Sequence, residues 1–248
     1  MNLRFVCLGV GDAFSARSYS SCYALESEGT WLLVDCPHPI RKILREAGEE
    51  CGEALDIARF SGVVLTHLHA DHATGLEGWG FYSHFLLGRS SVFLTHPEVS
   101  EPLWDRHLAV TMGTTKVGAD GQEKRLAFDD YFELRSLNES SATQFGPFSI
   151  ECRRTIHHIP TFALRIRAGG RYLGFSADTA YDPGLIEWLS EADLIVHEAN
   201  YGGHAPYEKL AALPASLRGK MRLTHYPDDF NLARSAIEPL RQGGVYTV

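Results

Sequence analysis

Thr66-His67-Leu68-His69-Ala70-Asp71-His72 decides how this chain is read. Three histidines and an aspartate fall within six residues, directly after Val63-Val64-Leu65, which reads as a short buried strand. A lone histidine is more often a surface or core group than a ligand. Four metal-type side chains in the order H-x-H-x-D-H are different. In a loop leaving a strand, His67 and His69 can point one way while Asp71 and His72 turn toward a second position. That arrangement suits two ions about 3.5–4 Å apart, as in two-metal hydrolysis. Imidazole and carboxylate donors suit zinc first, with iron or manganese as competitors.

Four side chains cannot complete two coordination spheres, so more ligands must come from elsewhere. His157 and His158 follow a predicted strand at 150–156, Asp178 one at 172–176, and His225 one at 220–224. All lie at the carboxyl ends of strands, where a sheet presents catalytic groups. The spacing alone leaves His157 and His158 as alternatives.

Outward from the cluster, residues 3–9 read as a strand running into the glycine loop Gly9-Val10-Gly11-Asp12-Ala13, followed by strands at 21–27 and 30–35 joined by Glu28-Gly29. A helix is expected over 40–47, stopped by Gly48, with helical patterns over 74–87 and 97–110. Residues 113–130 read as a loop. Residues 131–176 are mostly strands, with Gly146-Pro147 and Gly169-Gly170 as hairpin turns. The last third alternates: helix 183–190, strand 192–196, helix 206–217, strand 220–224, helix 228–240 and strand 244–247. The pattern predicts an α/β chain of two sheets packed face to face with helices outside. With no linker composition, residues 1–248 are expected to form one domain.

The formal net charge of −8 argues against a general nucleic-acid binder. A small anionic substrate remains compatible, because two dications add positive charge locally. Five scattered cysteines, with no C-x-x-C pair and no secretory leader, favour reduced thiols and a cytoplasmic location. No apolar run reaches membrane-spanning length. The aromatic stretch Trp79–Phe85 is either core or a pocket wall, and the glycine loop Gly9–Ser15 either a turn or a close approach to the metals. Arg17, Arg89 and Arg106 are candidates to meet an anion.

With Asp35 ending the strand before it, the whole set resembles the metallo-β-lactamase superfamily: an early aspartate, H-x-H-x-D-H, a later histidine, a bridging aspartate and a final histidine. Within that superfamily the chain is similar to the ribonuclease Z-like phosphodiesterase branch. The matching phrases are Leu8-Gly9-Val10-Gly11-Asp12-Ala13, His157-His158-Ile159-Pro160-Thr161, Phe175-Ser176-Ala177-Asp178-Thr179, Val196-His197-Glu198-Ala199 and Leu223-Thr224-His225.

The resemblance implies a four-layer αββα sandwich of two mixed sheets with helices on the outer faces. It implies His67, His69 and His157 on a first metal, Asp71, His72 and His225 on a second, and Asp178 bridging both. The branch's histidine three positions before the proline selects His157 over His158. Asp35 braces the histidine loop, and Asp71 orients the attacking water. His197 matches a histidine beside the scissile phosphate, with Glu198 orienting it, which makes His197 the expected acid for the leaving group. One departure matters. Ribonuclease Z proper carries a long tRNA-gripping arm between the middle histidine and the bridging aspartate, whereas here only 21 positions separate His157 from Asp178.

The function expected is a two-metal hydrolase of a small phosphoester or nucleotide, using a hydroxide generated between the metals. The alternatives are a hydrolase of lactones, thioesters or amides on the same centre, and an iron-dependent redox protein. The expected partner is a small molecule, with a homodimer allowed and neither tRNA nor a membrane.

Overall fold

The computed structural model describes residues 3–117 and 121–248. Its strands are β1 (Arg4–Gly9), β2 (Cys22–Ser27), β3 (Thr30–Val34), β4 (Phe60–Val64), β5 (Ser91–Thr95), β6 (Thr114–Val117), β7 (Gln122–Arg125) and β8 (Phe132–Ser136). They continue with β9 (Thr143–Phe145), β10 (Phe148–Arg154), β11 (Phe162–Ala168), β12 (Arg171–Phe175), β13 (Leu194–Glu198), β14 (Met221–Thr224), β15 (Glu238–Pro239) and β16 (Val245–Thr247). Two seven-stranded sheets result, in the orders β16-β1-β2-β3-β4-β5-β8 and β15-β14-β13-β12-β11-β10-β9. Both are mixed. β3, β4, β5 and β8 run parallel, as do β12, β13, β14 and β15, while sequential antiparallel neighbours and the antiparallel pairing of β1 with β16 supply the rest.

The sheets meet through aromatic side chains. Phe175 of β12 lies 5.0 Å from the Tyr23 ring of β2 and 6.4 Å from the Phe5 ring of β1. Phe162–Ala168 is buried at six of its seven positions, Arg165 among them, as expected of a strand covered on both faces. The turn Glu28-Gly29 has positive φ at both residues (53° and 77°), the backbone that a tight two-residue hairpin needs.

Several expectations required correction. The first helix runs Ile40–Cys51 and is stopped by Gly52 in the left-handed region, not by Gly48. Gly48 instead sits where a Cβ would lie 2.4 Å from the Glu53 carbonyl, so its role is close packing. The stretch read as a loop at 113–130 contains the β6–β7 hairpin and a helical turn at Phe128–Tyr131; residues 118–120 of it lie outside the described residues. The helix expected over 206–217 is two pieces, Tyr207–Ala211 and Ala215–Arg218, parted before Pro214-Ala215.

The helix expected over 228–240 is absent. Asp228 turns its carboxylate to Ser15 Oγ (2.6 Å) and the Ala16 amide (2.8 Å), Leu232–Arg234 makes a single 3₁₀ turn, and Glu238-Pro239 pairs at the sheet edge. Pro239 cannot donate a helical hydrogen bond, whereas an edge strand tolerates it.

Trp79 marks the packing between the first sheet and its helices. It is fully buried, and its indole N–H donates to Ser91 Oγ at 2.9 Å. Trp79→Ala is expected to destabilise the protein by about 3–5 kcal/mol, read from the denaturant midpoint at constant m-value.

Candidate metal centre

Parallel strands that end side by side bring their carboxyl-terminal loops together. β3 delivers Asp35 and β4 delivers the histidine loop. In the second sheet, β10, β12, β13 and β14 deliver His157, Asp178, Glu198 and His225. Three of these loops begin on a non-glycine residue in the left-handed region: Asp35 (φ 58°), Ala177 (φ 49°) and His225 (φ 53°). Such residues cost of order 1–3 kcal/mol each and persist only where surrounding contacts enforce them.

At Asp35 the contacts are those of its own carboxylate. Its Oδ1 accepts the Thr66 amide at 2.8 Å, its two oxygens lie 3.0 and 2.9 Å from Thr66 Oγ1, and Oδ2 lies 2.8 Å from His72 Nδ1. A carboxylate only accepts, so the Thr66 hydroxyl hydrogen goes to Asp35. Thr66 Oγ1 therefore accepts from His67 Nδ1–H at 2.9 Å. Both His67 and His72 thus carry their hydrogen on Nδ1 toward this brace and turn Nε2 inward.

Three overlapping groups of inward atoms result: His67, His69, His157 and Asp178; Asp71, His72 and His225; and Asp178, His204 and His225, the donor atoms of each lying within 4.8 Å of one another. His69 Nδ1 lies 3.1 Å from His67 Nε2 and 3.2 Å from His157 Nε2. Asp178 spans the groups: Oδ2 is 3.6 Å from His67 Nε2 and 3.7 Å from His225 Nε2, while Oδ1 is 3.3 Å from His72 Nε2. The His72 Nε2 atom is buried without a hydrogen-bond partner among the described residues. Nitrogen lone pairs and carboxylate oxygens converging at this range need cations among them, so the donor set fits divalent metal.

The electrostatics agree. Burial lowers His69 and His157 to about 4, so both are neutral and free to ligate. Burial works against a charged His225, yet Asp178, Asp71 and Glu198 outweigh it and raise the imidazole to about 10. His72 is likewise raised, by Asp178 and Asp35 against its own burial. Burial would also push Asp71 and Asp178 up, but the surrounding histidines hold both below the usual carboxylate range. Without metal, protons on His72 and His225 do the neutralising.

All seven residues named as ligands from the sequence, with Asp35, come together here. His157 belongs to the first group, and His158 sits behind it, 2.9 Å from the other ring nitrogen of His69. His197 does not join them. Successive strand residues face opposite sides, and Glu198 faces the cluster, so His197 points away. It is fully buried, with Nδ1 donating to the Glu198 carbonyl at 2.7 Å. Glu198 instead bonds His204 Nδ1 at 2.7 Å, accepts the Thr179 amide, and lies 3.6 Å from His225 Nδ1. His204 lies outside the sequence motifs that mark the other site residues. The available signal was the buried Glu198 carboxylate, which needs a partner that its strand neighbour cannot be.

Two cavities border the cluster's loops. One of about 590 Å³ is lined by Leu68, Ile159, Pro160, Glu98, Asp105 and Arg106. The other, about 400 Å³, is lined by Asn200, Tyr201, Tyr207, Phe230 and Arg234. The aromatic stretch 79–85 lines neither. Of the three arginines singled out, Arg106 lines the larger cavity, whereas Arg17 bonds the Asp228 carbonyl and Arg89 the Ala58 and Phe60 carbonyls. The glycine loop is a packing feature: a Cβ at Gly9 would lie 2.1 Å from the Ser20 carbonyl oxygen. All five cysteines are free thiols. No helix among the described residues is long and apolar enough to cross a membrane.

A family model described as "Anti-Pycsar protein Apyc1" matches residues 3–243. The chain belongs to the Apyc1 family. It is 30% identical to the anti-Pycsar protein Apyc1 of Paenibacillus sp. (strain J14), aligned across 100% of both chains. It is 31% identical to that of Bacillus phage vB_BveM-Goe7, across 91% of this chain and 90% of the relative. Among solved structures, the metallo-β-lactamase fold protein YhfI of Bacillus subtilis superposes with a TM-score of 0.78 at 19% identity, with full coverage of both chains. Human tRNase Z, short form, superposes with a TM-score of 0.68 at 21% identity, covering 98% of each. A diphosphatase of the PhnP family gives 0.70 at 15% identity, covering 98% of this chain and 97% of that one. The fold is therefore the metallo-β-lactamase sandwich expected from the sequence.

The raised His225 imidazole has a stability consequence in the metal-free protein. Its contribution is complete below the ordinary histidine value of 6.5 and is lost as pH rises through about 10. In chelator-treated protein, the stability gap between the parent and His225→Ala is expected to shrink as the pH is taken from 6.5 to 10. Denaturant midpoints at the two pH values measure it.

Proposed function

We propose that the chain is a metal-dependent hydrolase of small phosphodiesters, nucleotides included, working on two divalent ions. The observation that carries this reading is the Glu198–His204 pair set beside the histidine–aspartate cluster. His67, His69 and His157 would hold the first ion, Asp71, His72 and His225 the second, with Asp178 between them; zinc suits these donors first, and iron or manganese also fit. Bound there, the ions would lower the pKa of a shared water toward neutrality and stabilise charge developing on a phosphoryl oxygen.

The chain's own groups do the rest. Asp71, held below the usual range, stays an acceptor able to orient the attacking water while it ligates. Glu198 raises the pKa of His204 by hydrogen bonding to it, so the imidazole carries a proton more readily. With Nδ1 given to Glu198, His204 Nε2 is the atom that hands a proton to the leaving oxygen. The acid role expected of His197 thus passes to His204, and Glu198 keeps the orienting role expected of it. His197 becomes a packing residue of β13.

The hairpin β11–β12 fills the interval between His157 and Asp178, leaving no protruding arm there. That supports a small substrate over tRNA. The 590 Å³ cavity is of ordinary small-ligand size.

The test is a panel of bis-p-nitrophenyl phosphate, a lactone and a thioester with zinc- or manganese-loaded protein. Turnover of the phosphodiester is expected, and turnover of the lactone or thioester alone would overturn the assignment. Stoichiometric iron with oxygen uptake after anaerobic purification would instead favour redox chemistry. His204→Ala is expected to lower kcat by about 10²–10⁴-fold on diesters with alkoxide leaving groups. It should cost far less on p-nitrophenyl esters, whose leaving group departs without a proton. Equal losses on both would remove His204 from the acid role.

A further inference from the structure

His158 lies next in sequence to a proposed ligand, yet it contacts the cluster from outside. Its Nε2 is 2.9 Å from His69 Nε2, and its ring centroid is 4.6 Å from that of His69 and 4.5 Å from that of His157. The opposite nitrogen of His69, Nδ1, faces His67 Nε2 at 3.1 Å and His157 Nε2 at 3.2 Å. A neutral imidazole carries one hydrogen. If Nδ1 is to offer a lone pair inward, the hydrogen must sit on Nε2, where His158 is the acceptor in reach.

We propose that His158 is a positioning residue for the first metal site: it accepts a hydrogen bond from His69 Nε2–H and so turns the His69 Nδ1 lone pair toward His67 and His157. The inference rests on the dinuclear reading above. It divides labour between two adjacent histidines, His157 inside and His158 behind. It also completes a pattern, because each histidine of the H-x-H-x-D-H loop now has its outer nitrogen held: His67 by Thr66, His72 by Asp35 and His69 by His158. Outer partners of this kind raise ligand basicity and fix the ring, and their loss typically costs about 10–100-fold in metal affinity. Thr66 and Asp35 are buried at the sheet rim, whereas His158 is exposed. The first site therefore has one ligand whose orientation depends on a surface side chain.

The experiment compares parent, His158→Ala and His158→Gln by competition with a chromophoric chelator for zinc, and by long-range ¹H–¹⁵N correlation of the histidine rings with and without zinc. His158→Ala is expected to weaken one of the two zinc sites by about 10–100-fold, leave the other unchanged, and reduce the Nε2–H tautomer of His69 in the metal-free protein. His158→Gln, whose amide oxygen reaches the same place, is expected to recover most of both. Unchanged affinity in His158→Ala, equal weakening of both sites, or a glutamine variant no better than alanine would each overturn the proposal. Outright loss of one ion would also overturn it, by making His158 a ligand. These readouts need no substrate, so failure on phosphodiesters sinks the proposed activity and leaves this inference standing. Failure of the parent to bind zinc at all overturns this inference, and the proposed activity falls with it only if manganese and iron also fail to bind.

Discussion

The carboxylate of Asp35 is the contact on which the rest depends. One buried group fixes the Thr66 amide and hydroxyl and the outer nitrogen of His72, and through the Thr66 hydroxyl it fixes His67. It directly follows β3, beside the end of β4, so the strand pairing that makes the sheet also places the brace against the loop it braces. The left-handed backbone at Asp35 aims the carboxylate sideways toward the next loop rather than along its strand. Aspartate tolerates that conformation better than most residues. Register and chemistry are thus one constraint: a strand slipped by a single residue would turn Asp35 to the other face.

Around that brace the fold does something costly. Asp35, Asp71, Asp178 and Glu198 are all buried, together with His67, His72 and His225. Unpaired buried charges of this number would unfold a domain of ordinary stability. They are tolerable because each carboxylate meets imidazole or backbone N–H donors. In the metal-free protein the shared protons on His72 and His225 perform the neutralisation that dications would perform in the loaded one. The two raised histidines and the two depressed aspartates are therefore one electrostatic fact seen from opposite sides. Loading with metal should displace these two protons, so that metal affinity rises with pH and binding releases protons.

Much of this was legible in the sequence, for physical reasons that can be named. Strands ending in histidine or aspartate, hairpins marked by Glu28-Gly29 and Gly169-Gly170, and the density of ligand-type residues at 67–72 are local signals, and local signals survive without a structure. What failed was non-local. The interval 228–240 carries helix-compatible residues, but Asp228 is drawn to a loop more than two hundred residues away and Pro239 to a sheet edge. Strand β7 has no buried face to mark it, since residues 122–125 are all exposed. Gly48 was read as a stop because a helical glycine is usually one; here it is a packing contact inside the helix.

His197 and His158 teach the same lesson about adjacency from opposite directions. Two neighbours in a strand cannot face one site, so His197-Glu198 had to split, and the member tied to the cluster was settled by which one the cluster could use. The carboxylate went inward: Oε1 accepts the Thr179 amide, and Oε2, which faces His225 at 3.6 Å, required a donor from outside the strand. A loop that follows β13 closely and carries a histidine is the nearest source, and His204 is that histidine. His157-His158 lies in a turn, where the alternation rule lapses, so both neighbours can approach His69, one at each ring nitrogen. Parity along the strand separates one pair, and its absence in the turn lets the other pair act together on a single imidazole.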